Sequence, residues 1–400
     1  MNFFKKLYCR TFQTVFKLAL PILPYREPII LKTNQDIIDI LQLNKITNVL
    51  LVTDKSLHNL GLTNSIEQDI NNANINVAIY DGVVPNPTTD NVAECLKMYK
   101  DNLCQAIIAF GGGSAMDCAK ATGAKVVYPK KTLQQMKGIL KVRRKLPLLI
   151  AVPTTAGTGS ETTLASVITD SVTRHKYAIN SFPLIPKYAM LNASLTVNLP
   201  PHITSTTGMD ALTHAIEAYI GLSTTKQTRQ CALFAVKTIF ENLTYVYNSP
   251  TNLEAREKML MASYQAGVAF TKSYVGYVHA VAHSLGGKYN VPHGLANAII
   301  LPYVLRKFGR KIYKKLWEMG VYAGLFDSST SKEVGAKIFI EKIESMNDEM
   351  NIPTKIEDIK VEDVETLSNT AEKEANPLYP VPVLWTAEDL KQIYLEVKNG

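Results

Sequence analysis

Residues 106–120 read AIIAFGGGSAMDCAK. Ala106–Phe110 is an unbroken apolar run of strand length, as expected of a strand covered on both faces. Gly111-Gly112-Gly113-Ser114 breaks the run, and a helical pattern resumes at Ala115-Met116-Asp117-Cys118-Ala119-Lys120. Glycines let backbone N–H groups approach a phosphate, and a helix N-terminus favours negative charge. On its own the turn reads more readily as plain turn chemistry than as a phosphate site. It is not a G-x-G-x-x-G fingerprint.

The flanking sequence strengthens the phosphate reading. Asn48–Val52, Asn76–Tyr80 and Leu148–Val152 are three more short apolar runs between helical stretches. Such alternation predicts a parallel sheet with helices on both faces, whose ligands lie beyond the carboxyl ends of the strands. Polar turns follow each strand: Val52-Thr53-Asp54, then Asn86-Pro87-Thr88, then Pro153-Thr154-Thr155-Ala156-Gly157-Thr158-Gly159-Ser160-Glu161. A carboxylate at Asp54 can bond a ribose 2′-hydroxyl and would repel a 2′-phosphate; it can equally cap a helix. Together the turns describe a dinucleotide cleft.

From about residue 201 strand signals vanish and helical patterns follow one another, with Pro200-Pro201 as the expected boundary. Pro377, Pro380 and Pro382 interrupt the last stretch before a final helix from about Thr386. The expected plan is an extension over residues 1–28, an α/β domain over 29–200 and a helical domain over 201–400.

A chain of 400 residues with 46% hydrophobic and 20% charged residues carries a sizeable core, which excludes disorder, collagen and coiled coil as overall descriptions. The net charge of +8 is local. Residues 1–35 hold Lys5, Lys6, Arg10, Lys17, Arg26 and Lys32 against one acid, Glu27. A second basic run spans Lys130 to Lys145. Neither carries a nucleic-acid-binding signature. Five cysteines without a Cys-x-x-Cys argue against a disulfide framework and a thiolate metal site, and fit a reducing cytoplasm. No apolar run is long enough to span a membrane.

In residues 1–28, Arg10 and Lys17 interrupt the apolar stretch and no small-residue cleavage site follows, unlike a signal peptide. As a helix, Phe4, Leu7, Tyr8, Thr11, Phe12, Val15 and Leu18 share a face, and Pro21 and Pro24 stop it. This face suits either weak contact with an anionic membrane surface or packing on its own subunit or a neighbour, and the packing reading is favoured.

Five of the seven histidines lie in the second half: His202, His214, His279, His283 and His293. Asp210 and His214 are i, i+4 within GMDALTHAIEAY (208–219), and His279 and His283 repeat the spacing. Each pair shares a helix face. Burying a carboxylate and several imidazoles among small apolar residues is costly without purpose, and this donor set suits a divalent transition metal, zinc or iron.

With these motifs on the page, the chain resembles the iron-containing (group III) alcohol dehydrogenases over roughly residues 30–400. The resemblance rests on GGGSAMDCAK (111–120), PTTAGTGSE (153–161), GMDALTHAIEAY (208–219) and HAVAHSLGGKYNVPHGLANA (279–298), supported by VTDK (52–55), VVPNPT (83–88) and Asn376-Pro377. It implies a Rossmann-like α/β domain followed by an all-α domain, a fold shared with glycerol dehydrogenases and dehydroquinate synthase, with the site in the cleft between them. It implies four metal ligands, Asp210, His214, His279 and His293, with Fe(II) the expected ion and Zn(II) the alternative. It assigns His283 as a proton relay. Gly112, Gly113 and Ser114 match the pyrophosphate loop, and Asp117 of the same stretch is placed with them in cofactor binding. Asp54 matches the ribose carboxylate, which implies NAD(H) over NADP(H). Asn86, Thr154, Thr155 and Thr158 match cofactor contacts, and Lys176 a lysine near the nicotinamide ribose.

The implied activity is NAD(H)-linked interconversion of small primary alcohols or diols and aldehydes, by a homo-oligomer. A zinc-dependent polyol dehydrogenase is the alternative enzyme, and a membrane-associated, non-catalytic protein on the same fold is the alternative class. The chain departs from the family in residues 1–28, in Asn192, where an Asp is common, and in Lys272 and Tyr274, which would alter the substrate pocket if they line it.

Overall fold

The computed structural model describes residues 1–173 and 175–400. After α1 (Phe3–Ala19), strands and helices alternate: β1 (Ile29–Leu31), α2 (Asn34–Leu43), β2 (Asn48–Val52), α3 (Lys55–Asn59), α4 (Asn64–Asn72), β3 (Asn76–Tyr80), α5 (Thr89–Asp101), β4 (Ala106–Gly111), α6 (Gly113–Val127), α7 (Leu133–Met136), β5 (Gly138–Ile139), β6 (Leu148–Pro153), β7 (Ala165–Thr169), β8 (Lys176–Asn180) and β9 (Tyr188–Met190). Helices follow: α8 (Pro201–Ile220), α9 (Lys226–Asn248), α10 (Leu253–Ser273), α11 (Tyr277–Tyr289), α12 (His293–Phe308), α13 (Tyr313–Ala323), α14 (Lys332–Glu349), α15 (Val364–Ala375) and α16 (Ala387–Asn399).

The chain divides into two compact units, Pro24–Val197 and Asn198–Gly400 joined by Met1–Leu23. The division falls between Val197 and Asn198, three residues before the expected boundary, and α8 itself opens at Pro201, where the missing N–H costs nothing. The expected extension over residues 1–28 is not a separate body. Its helix belongs to the second unit, whereas Tyr25 packs edge-on against Phe182 and Arg26 donates to the Ile185 carbonyl in the first.

In the first unit a six-stranded parallel sheet has the order β1-β9-β6-β4-β2-β3, beside a small sheet β5-β8-β7. The four runs expected as strands are β2, β3, β4 and β6; β4 and β6 each extend one residue further. β1, β5, β7, β8 and β9 carried no such signal. Alternation along the central strands explains the unbroken apolar runs. Leu50, Val52, Ile107, Ala109, Leu149 and Ala151 enter one core, and Val49, Leu51, Ile108, Phe110, Ile150 and Val152 the other. Both faces are covered, so the buried positions of these strands are apolar.

In the second unit α8, α9 and α10 pack on one another, and α12 packs on α8 and α11. Two glycines set the close approaches. A Cβ on Gly208 would lie 2.3 Å from Leu243 Cδ1, and one on Gly294 would lie 2.4 Å from the Thr206 carbonyl oxygen.

The N-terminal helix packs on its own chain by the face opposite to the expected one. Cys9 and Gln13 are buried, while Phe4, Leu7, Tyr8, Phe12, Val15 and Leu18 face solvent. The backbone of residues 377–382 selects this orientation, because its carbonyls need donors. Arg10 donates to the carbonyls of Val381 (2.7 Å) and Pro382 (3.0 Å), and Gln13 to those of Pro377 (3.2 Å) and Tyr379 (2.7 Å).

Candidate functional site

In the α/β unit the functional positions are turns after strands. β4 ends at Gly111, whose φ of +147° lies in a region that favours glycine. A Cβ there would sit 2.9 Å from Ala115 Cβ, and one on Gly113 would sit 3.2 Å from Thr158 Cγ2. Gly112 caps α6 without a side chain, so no side-chain acceptor takes the first N–H groups of a 15-residue helix. Thr155 lies 3.6 Å from a Cβ placed on Gly112, and the Thr154 N–H donates to the Gly111 carbonyl at 3.2 Å. Gly112, Gly113, Ser114, Thr154, Thr155 and Thr158 thus belong to one cradle that any side chain on the glycines would fill.

For Asp54 the structure shows the helix cap, one of the two roles expected of it. Its Oδ1 caps α3, accepting from the N–H groups of Ser56 and Leu57 at 3.0 Å each. Its Oδ2 points back toward Gly111, 4.0 Å from where a Cβ there would lie. Asn86 and Lys176 meet each other, with Lys176 Nζ donating to Asn86 Oδ1 at 2.8 Å.

Asp117 faces the loop after β6, accepting from Ser160 Oγ at 3.3 Å. Burial pushes its carboxyl up to about 6 against the pull of Lys120. Sequence reasoning assigned no role to Lys120. It is fully buried, and its Nζ donates to Ser160 O and Oγ, Thr163 O and Oγ1, and Ala165 O at 2.7–3.1 Å. Burial lowers its ammonium to about 8. It ties the loop carrying Thr158 to the helix that begins at Gly113.

In the helical unit one ligand atom each from Asp210, His214, His279 and His293 lie within 4.8 Å of one another. Asp210 and His214 come from one face of α8, His279 from α11 and His293 from the first turn of α12. The close pass at Gly294 brings His293 to Asp210. Asp210 Oδ1 lies 3.5 Å from His293 Nε2 and 3.9 Å from His279 Nε2. A tetrahedral ion with bonds of about 2.1 Å would set its ligands roughly 3.4 Å apart. The His214 ring stacks between Phe270 (4.0 Å) and His279 (4.5 Å).

The lone pairs converge on one spot, marked by the buried Asn297 amide. Its Nδ2 lies 2.7 Å from Asp210 Oδ1, 3.2 Å from His279 Nε2 and 3.1 Å from His293 Nε2. Burial, reinforced by the neighbouring histidines, holds the His279 imidazole well below its usual range. A neutral ring and a carboxylate are the forms in which these side chains bind metal.

Sequence reasoning missed two carboxyls that orient the histidines. Glu217, three residues past His214 on α8, sits under the N-terminus of α11. It accepts from the N–H groups of Gly276 and Val278 at 2.8 Å and lies 2.7 Å from His279 Nδ1. Burial pushes it up to about 7 against those hydrogen bonds. A His279 Nδ1–H given to Glu217 leaves Nε2 for the ligand cluster. The signal was present, because Asp210, His214 and Glu217 are i, i+4 and i+7 on one buried face.

Glu374 does the same for His283. Its Oε1 lies 2.6 Å from His283 Nδ1 and accepts from the Tyr379 hydroxyl at 2.7 Å. The His283 ring stacks on His293 at 5.1 Å, so it adjoins the cluster without being part of it.

Of the departures, Asn192 is a local cap: its Oδ1 accepts from the Ser194 N–H at 3.0 Å, which an Asp would do equally. Lys272 donates to Gln227 Oε1 at 2.8 Å. Tyr274 packs edge-on against Phe16 of α1 at 5.0 Å.

Known families and proteins resemble the chain across both units. The family description "Iron-containing alcohol dehydrogenase" matches residues 32–193, and "Fe-containing alcohol dehydrogenase family, C-terminal" matches residues 204–397. The chain is 37% identical over 318 residues to the 1,3-propanediol dehydrogenase of Citrobacter freundii, covering 79% of this chain and 82% of the relative. It is 34% identical over 353 residues to the NAD-dependent methanol dehydrogenase of Bacillus methanolicus, covering 88% and 91%. A solved 1,3-propanediol oxidoreductase superposes with a TM-score of 0.89 at 34% identity, over 93% of this chain and 98% of that one. Matches to both family descriptions, over residues 32–193 and 204–397, together with relatives at 34–37% identity over most of their length, show that the chain belongs to the iron-containing alcohol dehydrogenase family.

Proposed function

We propose that this chain is an NAD(H)-linked, Fe(II)-dependent dehydrogenase interconverting small primary alcohols or diols and their aldehydes. The observation that carries this reading is the convergence of Asp210, His214, His279 and His293 within 4.8 Å on buried helices. These residues would hold the ion, and Glu217 fixes the His279 ring. Gly112, Gly113 and Ser114 with the α6 N-terminus would take the cofactor pyrophosphate, and Asp54 Oδ2 its ribose. When bound, the metal supplies Lewis acidity to the substrate oxygen and the nicotinamide accepts or gives the hydride.

The chain's own residues handle the proton. With Nδ1 of His283 held 2.6 Å from Glu374 Oε1, Nε2 is the ring atom left to exchange a proton. The Tyr379 hydroxyl binds the same Glu374 oxygen and so keeps the carboxyl aimed at His283. Nε2 takes the alcohol proton during oxidation and returns it during reduction.

The resemblance also implies a homo-oligomer, which sedimentation of the purified chain tests.

The test is anaerobic. Metal is stripped and replaced by Fe(II) or Zn(II), and nicotinamide absorbance is followed with ethanol, butanol, 1,2- and 1,3-propanediol, glycerol and the matching aldehydes. Turnover that follows Fe(II) loading and favours primary alcohols or diols is the expected result. Silence with metal stoichiometrically bound overturns the proposal.

A further inference from the structure

The inward face of α1 reaches the group that orients His283. Cys9, Arg10, Gln13 and Phe16 recur at helical spacing, and Cys9 and Gln13 are buried. The Gln13 amide donates to the carbonyls of Tyr379 (2.7 Å) and Pro377 (3.2 Å), and Arg10 donates to those of Val381 and Pro382. Phe16 reaches Tyr379 from the ring side. It packs edge-on against Tyr274 at 5.0 Å, and the Tyr274 ring leans on that of Tyr379 at 6.5 Å. Tyr274 has a φ of +60° without being glycine, a conformation that persists only where its surroundings impose it. Lys5 pairs with Glu372, two residues before Glu374 on α15, at 2.5 Å.

The Tyr379 hydroxyl is where these contacts converge. It donates to Glu374 Oε1 at 2.7 Å, the same oxygen that lies 2.6 Å from His283 Nδ1. A glutamate side chain has large rotamer freedom, so its aim depends on what holds the carboxylate. A tyrosine ring has two torsions, and this one is buried, so the hydroxyl goes where the backbone of residue 379 puts it. Residues 377–382 lie between α15 and α16, outside any helix or strand, and take their position from contacts with other segments. Leu222 N–H binds the Pro380 carbonyl at 2.7 Å, and α1 binds those of Pro377, Tyr379, Val381 and Pro382. A shift of about 1 Å in a group that orients a reacting residue can cost about 100-fold in rate.

We infer that Gln13 is a positioning residue for the reaction and that α1 is its brace: by holding the Tyr379 carbonyl it sets the Tyr379 hydroxyl, which keeps Glu374 on His283. The inference rests on the proposed relay role of His283. The brace belongs to a segment that precedes the residues matched by the family, which begin at 32.

The test is a double-substitution cycle on the full-length chain loaded with Fe(II). Gln13→Ala removes the donor to residue 379, and Tyr379→Phe removes only the hydroxyl. Each should lower kcat by about five- to tenfold, with KM for NAD and metal content unchanged. Because both act through one hydroxyl, Gln13→Ala should cost nothing further in the Tyr379→Phe background. Effects that multiply, or full kcat in Gln13→Ala, overturn the inference. Leu7→Ser, on the exposed face of α1, should leave kcat unchanged, and a loss equal to that of Gln13→Ala overturns it too. Ring 15N spectra of the Zn(II)-loaded chain, with His283 assigned through His283→Asn, read the contact without turnover. Gln13→Ala and Tyr379→Phe should both move the His283 Nδ1 signal, and a signal that Gln13→Ala leaves in place overturns the brace. Should the wild-type chain turn over no substrate while Gln13→Ala still moves that signal, the proposed reaction falls and the brace stands.

Discussion

The two units build their sites from different material. In the α/β unit the cradle is backbone: the N–H groups at the start of α6, reachable because three glycines carry no side chain. In the helical unit the cluster is side chain: one carboxylate and three imidazoles from α8, α11 and α12, held by Glu217 and by the close pass at Gly294. A site of backbone dipoles tolerates changes of side-chain chemistry and fails when bulk is added. A site of converging lone pairs fails when any one donor is lost, and weakens when the groups behind the donors move. Substitutions that separate these two behaviours test the comparison.

The largest effect is expected from His279→Ala. It removes a donor outright, so metal content by elemental analysis and turnover should be lost together. Stoichiometric metal retained by the variant would end its assignment as a ligand. Gly294→Ala should come next, because the added Cβ meets the Thr206 carbonyl oxygen at 2.4 Å, and backbone cannot rotate aside. Pushing α12 from α8 should cost about 1–3 kcal/mol of stability and weaken metal retention, read by thermal melting and chelator competition. A variant as stable as the parent would show that α12 moves freely and that the close pass does not position His293.

Glu217→Gln keeps the shape but removes the carboxylate behind His279. A metal affinity lower by about 10–100-fold is expected, with the fold intact. Unchanged affinity in a titration would reduce Glu217 to a cap of α11. The smallest effect belongs to the backbone-built site. Asp54→Asn preserves the cap of α3 but deletes the charge near Gly111, so the preference for NAD over NADP should narrow by about tenfold while the melting temperature holds. An unchanged cofactor ratio would place the ribose elsewhere.

Legibility differed between the regions for physical reasons. The central strands β2, β4 and β6 were readable because burial on both faces leaves continuous apolar runs. The edge strand β1 and the small sheet of β5, β7 and β8 were not, since short, half-exposed strands need no such composition. Within the cluster, Asp210 with His214 announced itself through helical spacing on an apolar background. Glu217 obeyed the same spacing and could have been found with it. Glu374 could not, because it stands 91 residues from His283 and their contact exists only through the packing of α15 on α11.

The N-terminal helix shows the limit most plainly. Its amphipathic period was legible, but not which face would be buried. Periodicity records only that two faces differ. The inward placement of Gln13 and Arg10 follows from the carbonyls of residues 377–382, which lie far along the chain and need donors.

What the sequence determined by itself is the set of local patterns: apolar strands ending in polar turns, a glycine break before α6, and histidines at helical spacing. Each is fixed by the geometry of a single element, so a few neighbouring residues carry it. What only the tertiary structure decided is the partner of each group: Glu217 under His279, Glu374 behind His283, Lys120 beneath the loop that holds Thr158, and carbonyls against the polar face of α1. Those contacts join residues tens to hundreds of positions apart, and a buried polar group takes whichever partner the packing delivers.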